Sequence, residues 1–187
     1  MPIYQNNSVD TTKLVLGNYK IESSPYASAA GSFVWVNLGA GMVNGWAYVP
    51  EKYDAQAGNA PDPIEGISRE TFTIDMELIE FDTSVLSAIS CGAMTTASTG
   101  TVMTVYMGGN TALTPRAFRL TNTRLVSGST KETIITVFKA TMDGGLAFTA
   151  KSDNDADPVN VMPVTVTGKV DPTRSAGTQL ATITKTI

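Results

Sequence analysis

Between Gly66 and Gly92 the chain reads GISRETFTIDMELIEFDTSVLSAISCG, and every second residue from Phe72 is large and apolar: Phe72, Ile74, Met76 and Leu78. Thr71, Thr73, Asp75 and Glu77 fall between them. A period of two is the geometry of a strand, so one face of this segment meets a core and the other meets water or a partner. After Phe81 the period changes. Asp82 or Thr83 can accept a first-turn N–H, Val85, Leu86 and Ile89 recur at helical spacing, and Gly92 suits the left-handed residue that ends a helix. The expectation is a long half-buried strand leading into a short helix over 84–90, packed by Leu86 and Ile89 against the rest of the fold.

The remaining segments lean the same way. Ser32–Leu38 is apolar on both faces and predicts a central strand, broken by Gly39-Ala40-Gly41, with a weaker strand over Met42–Val49. Arg116–Leu125 and Thr133–Met142, joined by Ser127-Gly128-Ser129, form the clearest hairpin. Val102–Met107, Val161–Val170 and a short piece near Leu180 and Ile183 add further strands, while Met94–Gly100 reads as a polar linker. Seven to nine strands and one helix predict an all-β fold, an antiparallel β-sandwich or partly closed barrel with one short flanking α-helix, in one domain over 1–187. Residues 1–12 read as a flexible N-terminal arm. Residues 50–66, with three prolines and the acids Glu51, Asp54, Asp62 and Glu65, read as a long contact loop.

Charge narrows the function. The net charge of −4 argues against a basic clamp for nucleic acid. Residues 1–93 carry four Lys or Arg against eleven Asp or Glu, whereas 94–187 carry nine against six. Unlike halves of −7 and +3 are suited to head-to-tail self-association. The single cysteine, Cys91, cannot form an intrachain disulfide and reads as a buried packing residue. The first residues carry neither a basic start nor an apolar run, so no secretory signal and no membrane span are expected, and folding in a cytoplasm is.

There is no histidine anywhere in the chain. Ser-His-Asp and Cys-His catalysis and histidine-based metal sites are therefore impossible, and one cysteine cannot make a thiolate metal site. Asp75, Glu77 and Glu80 are the candidate acids for a glycosidase, with Asp75 and Glu77 about 7 Å apart along one strand face. Neighbouring acids on a solvated strand are commonplace, and catalysis is disfavoured. Asp153, Asp155 and Asp157 alternate as in a calcium loop, but Pro158 replaces the glycine an EF-hand needs and no glutamate follows at the right distance. Neither an enzyme activity, a cofactor nor a metal is expected.

The order of the elements carries a resemblance. Trp35-Val36-Asn37-Leu38-Gly39, then Glu77-Leu78-Ile79-Glu80-Phe81 ahead of Leu86 and Ile89, then VTVTGKVD over 164–171 followed by Gln179-Leu180, is similar to the tail tube (major tail) proteins of long-tailed bacteriophages. The resemblance implies a structural virion protein, made in the host cytoplasm, that assembles into stacked hexameric rings. The partners it implies are other copies of the chain, tail tip or initiator and terminator proteins, and double-stranded DNA that passes through the lumen without specific binding; no membrane is involved. It places Asp75, Glu77, Glu51, Asp54, Asp62 and Glu65 on assembly or lumen surfaces. No additional immunoglobulin-like domain is expected after Leu180. The alternative is a carbohydrate- or receptor-binding or decoration module of a virion, with Trp46, Tyr48 and Tyr53 lining a groove.

Overall fold

The computed structural model describes residues 18–28, 31–55, 64–80, 86–99, 101–109, 112–126, 128–143, 146–147 and 161–186. Among these described residues nine strands and one helical turn follow in the order β1 (Tyr19–Pro25), β2 (Val36–Ala55), β3 (Ile64–Glu80), α1 (Leu86–Ile89), β4 (Met94–Thr99), β5 (Val102–Met107), β6 (Arg116–Val126), β7 (Ser129–Asp143), β8 (Met162–Gly168) and β9 (Ala181–Lys185). Seven of them form one antiparallel sheet in the order β6-β1-β2-β3-β8-β7-β9, and β6 also pairs with β7. That last ladder closes the sheet on itself, because β7 carries β6 on one edge and shares the other between β8, over Ala140–Asp143, and β9, over Thr133–Val137. The partly closed barrel expected from the strand count is present, and β4 and β5 make a separate two-stranded sheet.

The alternation of β3 sets the core. Phe72, Ile74, Met76 and Leu78 are buried and meet Val164 and Val166 from β8, Phe118 and Leu120 from β6, Ile135 and Val137 from β7, and Ile21 from β1. Gly41 belongs here because a Cβ at its position would overlap the Glu77 carbonyl oxygen and Cδ1 of Ile21.

Several boundaries differ from the expectation. The strand predicted from Ser32 starts at Val36, and Phe33 and Trp35 leave the sheet for cations: Arg119 lies 4.5 Å from the Trp35 ring and Arg174 5.2 Å from Phe33. Gly39-Ala40-Gly41 does not break the strand but bulges it, with register shifts at Ala40/Gly41 and Val43/Gly45. Within the contact loop expected over 50–66, Pro50–Ala55 and Ile64–Gly66 are ladder: Pro50–Ala55 pairs with Ile64–Glu70 as the two sides of a hairpin arm, and residues 56–63 lie outside the described residues. Met94–Thr99, expected as a linker, is β4, held by pairing with β5 that its own polar sequence does not announce. Residues 1–17, which include the expected N-terminal arm, and the acidic run 153–157 lie outside the described residues.

The helix ends differently from the expectation, and residues 81–85 before it lie outside the described residues. Cys91 N–H donates to the Ala88 carbonyl (3.2 Å) and Gly92 N–H to that of Ser87 (2.8 Å), which is the Schellman closure. Its left-handed residue is Cys91, at φ 52°, with Gly92 also positive at φ 83°. A cysteine stands where glycine is usual because its thiol is drawn into the core, where Sγ accepts the Met142 N–H at 3.2 Å. Burial pushes that thiol up in pKa, so it is the inert packing residue the sequence suggests.

A polar network ties the end of β8 to the strand that opens the sheet. The Asp171 side chain is fully buried and accepts from the hydroxyls of Tyr26 (2.9 Å) and Thr173 (2.7 Å), the Thr173 amide (3.1 Å) and Arg174 Nε (3.2 Å). Arg174 Nη2 has no hydrogen-bond acceptor among the described residues; the guanidinium instead lies 3.9 Å over the Phe138 ring. On β1, buried Glu22 pairs with Lys20 (2.8 Å) and Arg119 (2.7 Å). Burial works to raise both carboxyls, but these hydrogen bonds and cations outweigh it and hold Asp171 and Glu22 below the ordinary carboxylate range.

Two outcomes follow. Ile89, almost fully buried, should cost about 2–5 kcal/mol when changed to Ala, and half-buried Leu86 less, by urea unfolding. Because the folded pKa values of Asp171 and Glu22 are depressed, their stabilisation is fully present above the unfolded values of about 4 and is lost as pH falls through the folded ones. The urea midpoint should therefore hold from pH 7 to about 5 and drop below that, with a shallower drop in Asp171→Asn.

Candidate functional site

Three surfaces stand apart from ordinary solvent-exposed sheet. The first is the outer face of β3 and β8. Odd-numbered residues of β3 point away from the core, and the ladder sets Thr73 against Thr167, Asp75 against Thr165 and Glu77 against Pro163. Asp75 accepts from Thr165 Oγ1 at 2.7 Å, Glu77 from Asn44 Nδ2 at 3.0 Å, and Asp143 from Thr167 Oγ1 at 3.2 Å. The result is a face of hydroxyls, small side chains and ordered carboxylates. Cations are carried by β6 (Arg116, Arg119 and Arg124) and by β7 (Lys131 and Lys139), the strand paired directly with β8.

The second surface is the β4–β5 sheet. Two paired strands bury little by themselves, and a lone hairpin is marginal in water. This one is attached through α1, where Ser90 Oγ accepts the Met94 N–H (3.0 Å), and through the Thr114 N–H, which donates to the Cys91 carbonyl (2.7 Å). Val102, Tyr106 and Met107 nevertheless lie in water, Met107 with 71% of its surface exposed.

The third is a cleft of about 330 Å³ between the β2–β3 arm and the segment leading into β9. Trp46 pairs with Ile74 and Tyr48 with Phe72, so both aromatics carry on the inward face of the sheet past the point where the barrel can cover it. Trp46 is packed against Phe72, ring centroids 5.8 Å apart, and is still 54% exposed. Glu70, two residues before Phe72, shares that face and accepts a short hydrogen bond from the Tyr48 hydroxyl, which raises the Tyr48 phenol above its ordinary pKa and keeps it a donor. Gln179, Leu180 and Ile183 form the other wall, with Gln179 Nε2 donating to the Arg174 carbonyl at 3.1 Å.

Of the residues singled out from sequence, Asp75 is exposed and Glu77 half-buried on one outer face, as their spacing requires. Glu51 is exposed on the arm, 4.0 Å from Arg69, too far and too solvated to contribute much. Asp54 and Glu65 face each other in the arm's register; their side chains, and that of Glu80, lie outside the described residues, as does Asp62 altogether. Leu86 and Ile89 pack on the core as expected. Trp46 and Tyr48 do line a groove. Tyr53 does not join them; its ring lies over Gly66, where any Cβ would overlap it. Glu70 and Gln179 were missed by sequence reasoning, although a carboxylate on the apolar parity of β3 is a legible signal. Among the described residues no cluster of acidic or thiol side chains could hold a metal ion, and no helix is long and apolar enough to cross a membrane.

No protein-family model matches the chain, and no curated protein matches it in sequence.

Because Glu77 lies on the outer face of the sheet and hydrogen-bonds the exposed Asn44 amide, Glu77→Lys should change stability by no more than about 0.5 kcal/mol in urea unfolding. A loss of several kcal/mol would show that this face packs against another part of the chain.

Proposed function

We propose that the chain is a structural subunit that assembles with copies of itself into rings that stack as a tube, in the manner of the tail tube proteins it resembles. The observation that carries this reading is the uncovered β4–β5 sheet. A two-stranded sheet with Val102, Tyr106 and Met107 in water gains stability when a second surface covers it, and a neighbouring copy is the partner always present at matching concentration. The unequal charge of the two halves of the chain, −7 over residues 1–93 and +3 over 94–187, favours contacts between unlike surfaces, which close into rings or extend into stacks. In this reading the ring is hexameric and the β3–β8 face, with Asp75 and Glu77, lines a lumen that repels rather than grips the phosphates of passing double-stranded DNA. Tip and terminator proteins would bound the tube at its ends, and the chain would reside in a virion tail. Asp75 and Glu77 hold no catalytic role: each is engaged by a hydroxyl or amide on an open sheet face rather than gathered in a cleft.

Negative-stain electron microscopy and sedimentation velocity of the concentrated chain test this. Rings or tubes are expected, with Met107→Glu shifting the chain toward monomer at unchanged far-ultraviolet circular dichroism, and Glu77→Lys assembling with altered salt dependence. A chain that stays monomeric at every concentration, also in the presence of tail-tip components, overturns the proposal.

A further inference from the structure

The cleft beside β9 is built differently from a subunit contact. One wall is a tryptophan held by stacking: Phe72, itself buried, packs against the Trp46 ring at an interplanar angle of 27°, and more than half of Trp46 remains exposed to the cleft side and solvent. Its rim is polar and already positioned, since Tyr48 orients the Glu70 carboxylate and the Arg174 carbonyl orients the Gln179 amide. An aromatic platform with fixed polar groups at its edge suits a ligand that has one apolar face and hydroxyls around its perimeter. A purely apolar ligand would strip water from the Glu70 carboxylate without replacing its hydrogen bonds, and an anionic one would meet that carboxylate directly.

We infer that this cleft binds a neutral hexopyranose unit of a saccharide, the sugar ring stacking on Trp46 and its hydroxyls donating to Glu70 and bonding to the Gln179 amide. The Tyr48 hydroxyl satisfies one lone pair of Glu70 and leaves the carboxylate further acceptor capacity for the ligand. The size is appropriate, since 330 Å³ falls at the small end of the range for small-molecule sites. Among the described residues lining the cleft Glu70 is the one carboxylate, whereas glycoside hydrolysis uses a flanking pair, so the site is proposed to bind the sugar rather than cleave it. This inference is independent of self-assembly.

The test is titration of the full chain with glucose and N-acetylglucosamine oligosaccharides, followed by tryptophan fluorescence and by calorimetry. A saturable signal with a Kd on the order of 1 mM or tighter is expected. Trp46→Ala should weaken binding about tenfold or more, Trp46→Phe less, and Gln179→Ala at the rim should weaken it while leaving the circular dichroism unchanged. Should Trp46→Ala fail to fold, Glu70→Gln and Gln179→Ala decide the matter. The inference is overturned by any of three results: no saturable binding of either sugar series, equal binding by these variants, or saturable binding of choline but of no sugar. Assembly is scored in parallel. A chain that forms tubes and ignores sugars refutes this inference alone, and one that binds sugars but never assembles refutes only the tube reading.

Discussion

The ladder between β6 and β7 is the contact on which the rest of the molecule depends. Eleven residues of β6 run against β7 from Arg116 to Val126, and without them β6 and β7 would be the open ends of a long twisted sheet. With them, the inward residues of β1, β3, β6, β7 and β8 enclose one core, and the polar outward residues have no second sheet to satisfy. Closure also explains why the buried charges sit where they do. Glu22 with Arg119 locks β1 to β6, and Asp171 with Tyr26 and Arg174 fastens the chain leaving β8 to the end of β1. In each the carboxylate is buried and hydrogen-bonded on several sides, so its charge is compensated where it sits.

A closed barrel has a finite height, and β2 and β3 are longer than it. Their bulges at Ala40/Gly41, Val43/Gly45 and Glu51/Lys52 bend the pair, and the excess length becomes the arm that carries Trp46, Tyr48 and Glu70 past the core. The same inward parity that buries Phe72 and Ile74 therefore delivers aromatics to a cleft a few residues further on. At the other end α1 and its Schellman closure redirect the chain into β4 and β5, which leave the barrel altogether. The two surfaces proposed to meet partners are thus both places where strands outrun the closed sheet.

Much of this was legible. The alternation of Phe72 to Leu78, the Arg116–Asp143 hairpin with Gly128 at φ 77°, and the Val164/Val166 strand stand where their periods place them, because each is decided by local patterning and one apolar face. What was not legible were the segments whose structure is decided by a neighbour. Ser32–Trp35 looks like strand, yet the ladder begins at Val36, and the Phe33 and Trp35 rings lie against Arg174 and Arg119. Pro50–Ala55 and Met94–Thr99 look like loop, yet each is paired along its length by a partner strand.

The sequence by itself determined the class of fold, the two faces of β3, the absence of histidine chemistry, the burial of Cys91 and Ile89 and the packing of Leu86 against the core, since all of these follow from residue type and spacing. Only the tertiary structure decided that the sheet closes through β6 and β7, that the acidic stretch after Pro50 is an arm, and that Glu70 meets Tyr48 and Gln179 across a cleft. Those juxtapositions join residues far apart in the chain, Tyr48 with Glu70 and the cleft wall at Gln179, and no local period records which strand will lie beside which. Pairing is settled by closing the core as a whole, and the sites at its margins are set by where that closure stops.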